Sequence, residues 1–181
     1  MVSALTRFVR IADGINEYVG RIVSWLTVFM VLMVTIIVIM RYVFSIGYIW
    51  MQESYVWAHG IVFMLGAGYT LLHEGHVRID VFYRTASSTY KSIVDIVGCT
   101  VFVLPICWII FDKSIVYISR SFNVLESSAE AGGMPFLFIL KGMLWGLAIL
   151  MALQAISMIA RNLLSLAGHE VEPDYRDQSV A

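Results

Sequence analysis

The sequence predicts an all-α integral membrane protein of four transmembrane helices, preceded by an N-terminal amphipathic helix lying in the membrane interface. Two observations carry that fold class. Of 181 residues, 60% are hydrophobic and only 14% are charged, against roughly 25% charged in an average soluble protein. The charges are also segregated, which leaves four long runs free of Asp, Glu, Lys and Arg at 22–40, 54–72, 96–111 and 142–160. Nineteen helical residues rising about 1.5 Å each cover about 28 Å, which matches a hydrocarbon core of about 30 Å.

Taken in order, residues 1–21 form the amphipathic segment. Leu5, Phe8, Val9, Ala12 and Val19 fall near one helical face, and Arg7, Arg10, Glu17 and Arg21 on the other, the pattern of a helix resting among anionic headgroups. Residues 22–164 form the transmembrane domain, with helices predicted near 22–41, 50–73, 92–122 and 135–162. The first run is longer than the core of a secretory signal and has no small-x-small site behind it, so it reads as a retained span. The third run is the shortest and contains Pro105, which membrane helices tolerate as a kink. Beyond it, Ile115, Ile118, Phe122 and Leu125 recur at helical spacing among Asp112, Lys113 and Arg120, so this helix extends past the bilayer. It stops in Glu126-Ser-Ser-Ala-Glu130-Ala-Gly-Gly-Met-Pro135, where two glycines and a proline end any helix. Residues 165–181 read as a polar tail.

Orientation follows from the basic residues. One side collects Arg7, Arg10, Arg21, Arg78, Arg84, Lys91, Arg161 and Arg176; the other collects Arg41, Lys113, Arg120 and Lys141. The richer side stays in the cytoplasm, which places both termini there.

The spans themselves hold little chemistry. A net charge of -1 gives no general affinity for nucleic acid. Cys99 and Cys107 lie eight residues apart on one helix, about 12 Å along its axis, too far for a disulfide. His59 and His73 have a spacing that two stacked haems can use, but the other three spans offer no histidine to face them. His73, Glu74 and His76 do not match a zinc-protease helix. No nucleophile stands beside a base, so the chain is not expected to be an enzyme, and no cofactor is expected. At mid-depth the only titratable group is His59, whereas a self-contained carrier keeps a costly ionisable residue there for function. The second span carries Gly60, Gly66, Ala67 and Gly68, and the fourth carries Gly142 and Gly146 followed by Ala148, Ala152 and Ala155. Such small residues let membrane helices approach closely. Trp25, Phe29, Trp57, Phe63, Trp108 and Trp145 exceed what a small bundle can bury, so some face lipid or a partner.

Trp50-Met-Gln-Glu53 at the start of the second helix, Phe63-Met-Leu-Gly66-Ala67 within it, and Glu74-Gly-His76-Val-Arg78-Ile-Asp80 after it together resemble the DctQ family. That family comprises the small membrane subunits of tripartite ATP-independent periplasmic (TRAP) transporters. The similarity runs from about Val19 to about Leu164. Glu126, Glu130, Gly132, Pro135 and Lys141 further resemble the periplasmic loop of one branch of the family. The resemblance implies a scaffold subunit in the bacterial inner membrane. Its partners would be a large permease subunit, a periplasmic substrate-binding protein and membrane lipids. The complex would take up an organic acid, with sodium coupling in the large permease. It also implies structural or interface roles for Trp50, Glu53, Gly66, His76 and Asp80. Glu53 would cap the second helix and pair with Arg41, and Trp50 would anchor at headgroup level. His76 and Asp80, if helical, would bond one another or the adjacent Arg78, and the loop residues would form a docking surface. The alternative from another class is the membrane anchor of a redox complex, which would need haem ligands or a quinone pocket. A small independent exporter would need a mid-span acid.

Overall fold

The computed structural model describes residues 2–76 and 86–169. Five α-helices account for most of them: α1 (Val2–Val43), α2 (Ile49–Leu72), α3 (Ser88–Gly98), α4 (Leu104–Asn123) and α5 (Leu137–Leu166). A π-helical segment, Cys99–Val103, joins α3 to α4 without a break, so the two act as one rod. Among the described residues, four helical stretches are long and apolar enough to cross a membrane: Val2–Val43, Ile49–Leu72, Ser88–Asn123 and Leu137–Leu166.

The predicted amphipathic segment and first span are one unbroken helix. At about 1.5 Å per residue the 42 residues of α1 reach about 63 Å, roughly twice the hydrocarbon thickness. Its buried residues are Val9, Ala12, Asp13, Asn16, Gly20 and Val23, so two polar side chains sit in the stripe that the hydrophobic pattern assigned to apolar contacts. After Val23 no side chain of α1 is fully buried and most are exposed, Trp25 at 73%. The helix stops where Ser45 takes a positive φ of 54° and the amides of Phe44 and Ile46 both turn back to the Met40 carbonyl.

The π segment has a local cause. Proline at position 105 lacks an amide hydrogen and its ring crowds the carbonyl four residues earlier, so an α-helix cannot continue through it undistorted. The Leu104 amide instead donates to the Cys99 carbonyl five residues back, a wider turn that accommodates the ring.

Helix α5 is the hub, in contact with α1, α2, the π segment and both α3 and α4. It packs through small side chains: Ala148, Ala155, Ser157 and Ala160 are all buried. A Cβ on Gly146 would stand 2.4 Å from Leu65 of α2, and one on Gly142 would stand 3.4 Å from the Phe122 ring of α4. The two glycines thus serve different neighbours and let α5 wedge between α2 and α4. The cysteines are free and buried, with Cys99 Sγ 3.7 Å from the Met158 sulfur.

Candidate functional site

The two ends of the bundle carry most of its polar chemistry. At one end meet the first turns of α1 and the last turns of α2 and α5, hereafter the terminal end. The opposite end holds the α1–α2 and α4–α5 connections, hereafter the loop end.

At the terminal end a buried network joins α1 to α5. Asp13 accepts hydrogen bonds from Ser157 Oγ (2.8 Å) and Gln154 Nε2 (3.0 Å) on one carboxylate oxygen, and its other oxygen is bonded by the Arg161 guanidinium. Asn16 Nδ2 donates to Gln154 Oε1 at 3.0 Å. These residues recur at three- and four-residue steps on their own helices, so one face of α1 meets one face of α5. Asn16, Gln154 and Ser157 are at most 1% exposed. The amide oxygen of Asn16 has no hydrogen-bond donor among the described residues and lies against Gly68 of α2, where a Cβ would come within 2.1 Å of it and 3.1 Å of the Leu150 carbonyl. Only glycine fits where three helices converge. Nearby, Glu17 bridges Arg21 and His73 at 2.7 Å each, and the His73 ring packs on Tyr69 with centroids 4.3 Å apart.

None of this network was anticipated from the chain. The available signal was Asp13 and Asn16 on the apolar face of the first segment, and Gln154, Ser157 and Arg161 in register on one face of the last helix.

At the loop end, Glu53 and Glu126 hold the α4–α5 connection. The Glu53 carboxylate is bonded by the Ser128 hydroxyl and by the Met134 amide, the latter at 2.6 Å. Arg41 takes neither oxygen. Nor does Glu53 cap α2, whose N-cap, Tyr48, makes no side-chain cap; the carboxylate is turned away into the loop. A Cβ on Gly133 would stand 2.7 Å from Glu53 Oε2 and 2.6 Å from Ser128 Oγ, so glycine lets the loop close over the carboxylate. Gly132, at φ 80°, makes the turn. Glu126 receives Lys141 Nζ at 2.5 Å, and that ammonium also sits 4.3 Å over the Tyr117 ring. The bond from Lys141 holds the Glu126 carboxyl below the usual carboxylate range.

Of the residues singled out from the sequence, Glu53 is thus joined to the loop, and Glu126 and Lys141 to one another. Glu130, Gly132 and Pro135 are exposed on the loop. Trp50 is 47% exposed beside Tyr48, with ring centroids 6.4 Å apart. Gly66 faces outward with nothing within 4 Å of a Cβ. His76 lies past the end of α2 in a bend, exposed, and the contact proposed for it with Asp80 or Arg78 falls outside the described residues. Among the described residues no three His, Cys, Asp or Glu side chains gather as a metal-ligand set.

Four apolar spans, interhelical polar ties gathered toward the two ends among the described residues, and wide outward faces define a multi-pass helical membrane protein built to pack. The family described as "Tripartite ATP-independent periplasmic transporters, DctQ component" matches residues 30–165, well over half of the chain. The chain belongs to that family and is a TRAP transporter small permease subunit, a transporter component rather than a member of an enzyme family. Members work with a large permease and a substrate-binding protein. No curated protein and no solved structure matches the chain. The redox-anchor alternative gains no support.

Proposed function

We propose that this chain scaffolds the large permease during sodium-driven, binding-protein-dependent uptake of an organic acid, and carries no solute itself. The observation behind this reading is where the interhelical ion pairs stand. Asp13 is engaged by Arg161 near the terminal end, and Glu126 by Lys141 at the loop end. Between them the bundle interior is built from Ala58, Cys107, Ala148 and other small or apolar side chains. Solute and sodium need polar ligands; rigid area needs only packing. In this reading the protein sits in the bacterial inner membrane with both termini cytoplasmic. The loop end then faces the periplasm, and Glu130, Gly132 and Pro135 are displayed where a loaded binding protein docks.

Two measurements test the proposal. In liposomes carrying a sodium gradient and the cognate binding protein, uptake is expected only with both membrane subunits. Uptake by this chain alone, or undiminished uptake by the large permease alone, would overturn the scaffold role. For orientation, a cysteine at exposed Ser127 should react with an impermeant maleimide in intact cells, and one at exposed Ser88 should not. The reverse pattern would invert the topology.

A further inference from the structure

Helix α2 carries two stripes. The inward one, Met51, Ala58, Leu65 and Leu72, repeats every seven residues; Met51, Ala58 and Leu72 are buried and Leu65 lies against Gly146 of α5. The outward one is Gln52, Val56, His59, Phe63, Gly66 and Thr70. Its steps of four and three residues trace the seam along which a second helix packs. Yet no described helix covers it: Val56 is 53% exposed and Phe63 71%.

The composition of this stripe decides what covers it. Helix α1 has an outward stripe at the same spacing, including Tyr18, Ile22, Trp25, Phe29, Leu32 and Ile36. It is apolar through the middle of the membrane, and acyl chains suit it. On α2, His59 stands ten residues into a helix of 24, at mid-depth, exposed and without a hydrogen-bond partner among the described residues. Lipid tails offer the imidazole no partner, and such a group in a span faces protein or water. Gly66, open on its outer side, lets a neighbouring backbone come close.

Resting on the reading that the chain works beside a large permease, we infer that this outward seam of α2 is where a transmembrane helix of that permease packs. That helix meets His59 with a hydrogen-bonding side chain or an exposed carbonyl. It crosses closest at Gly66, while the outward stripe of α1 is left to lipid.

The test is photocrosslinking in the full chain co-expressed with its large permease. A benzoyl-phenylalanine is placed singly at Val56 or Phe63 on α2, and at Trp25 or Leu32 on α1. Adducts between the permease and positions 56 and 63 are expected. If the permease co-purifies but is crosslinked only from α1 or from neither helix, the inference fails and the complex stands. Adducts from 56 and 63 to a second copy of this chain would also overturn it. Absence of the permease from the wild-type preparation would instead sink the underlying reading. Two variants add independent readouts. His59→Leu should lower permease recovery about threefold, the typical worth of one interhelical hydrogen bond in a membrane protein, and His59→Gln should restore part of it. Gly66→Leu should abolish the complex while leaving the isolated chain's helical content and thermal unfolding unchanged, because no neighbour occupies that space. Unchanged recovery with both His59→Leu and Gly66→Leu would overturn the inference.

Discussion

The two ends of the bundle are tied in different ways. At the terminal end, side chain bonds side chain across helices that lie far apart in sequence, as in Asp13 with Ser157 and Arg161 and Asn16 with Gln154, and the contacts are buried. At the loop end, Glu53 bonds a hydroxyl and a backbone amide of the 126–135 connection, and the side chains of Glu126 and Lys141 are 35% and 15% exposed. The first arrangement sets which helices pack together. The second sets the shape of a surface. A polar group shielded from water must be partnered to be tolerated, so the terminal network specifies a pairing that lipid cannot replace, whereas water can replace much of the other.

That contrast can be tested by its energetics. The largest effect is expected from Asp13→Ala, which strands the Arg161 guanidinium and leaves Gln154 and Ser157 without their acceptor. Removing one partner of a buried pair costs about 3–5 kcal/mol, and with Arg161 20% exposed the lower figure applies. Unfolding in mixed micelles should show it, and Asp13→Leu combined with Arg161→Met should recover only the share owed to the stranded guanidinium, because Gln154 and Ser157 still lack their acceptor. If the single variant is as stable as the parent, the terminal network is not what holds α1 on α5.

A smaller effect is expected from Gly68→Ala, whose Cβ would overlap Asn16 and crowd the Leu150 carbonyl. Overpacking of this kind costs about 1–3 kcal/mol. Gly66→Ala, two residues away but facing outward, should leave the isolated chain's stability unchanged in the same assay. Equal effects at the two positions would mean that α1, α2 and α5 do not converge as described.

The smallest effect belongs to the loop end and depends on pH. The Glu126 carboxyl is held below its ordinary pKa, by the Lys141 bond first. Its folded-state value lies below the unfolded one, so the contribution is fully present above the ordinary carboxylate range and is lost as pH falls through the lowered value. Acidification into that window should raise hydrogen exchange in the 126–135 connection while the terminal halves of α1 and α5 stay protected. In Glu126→Gln this pH dependence should disappear.

The four spans were legible because each is a local property: an uncharged run of bilayer length. The predicted 50–73 and 135–162 lie close to the observed Ile49–Leu72 and Leu137–Leu166. The polar ties were not legible, and the reason is physical. Asp13 and Arg161 are 148 residues apart, and nothing in the period of either helix says that their faces meet. Glu53 was expected to turn to Arg41, a cation near it in sequence. It turns instead to the backbone of a loop whose path depends on Gly132 and Gly133. The proline in the third span announced a disturbance without saying which kind.

That disturbance has a consequence for helix phase. The buried residues of the third rod are Ser92, Cys99, Cys107, Ser114, Ile118 and Ser121. A step of seven residues, as from Ser92 to Cys99 or from Cys107 to Ser114, nearly completes two turns and keeps a straight α-helix in phase. The step from Cys99 to Cys107 is eight, which at about 100° per residue would swing everything downstream by most of a quarter turn. The π segment lies inside that step and takes up the surplus residue, so that Ser114, Ile118 and Ser121 return to the face packed on α5. The widened turn therefore acts as a vernier between two halves of one span. Shortening the chain by one residue at 100–103, with Pro105 replaced by Ala, would give a straight rod with the same buried line. Shortening any other span by one residue would rotate the rest of its helix out of register.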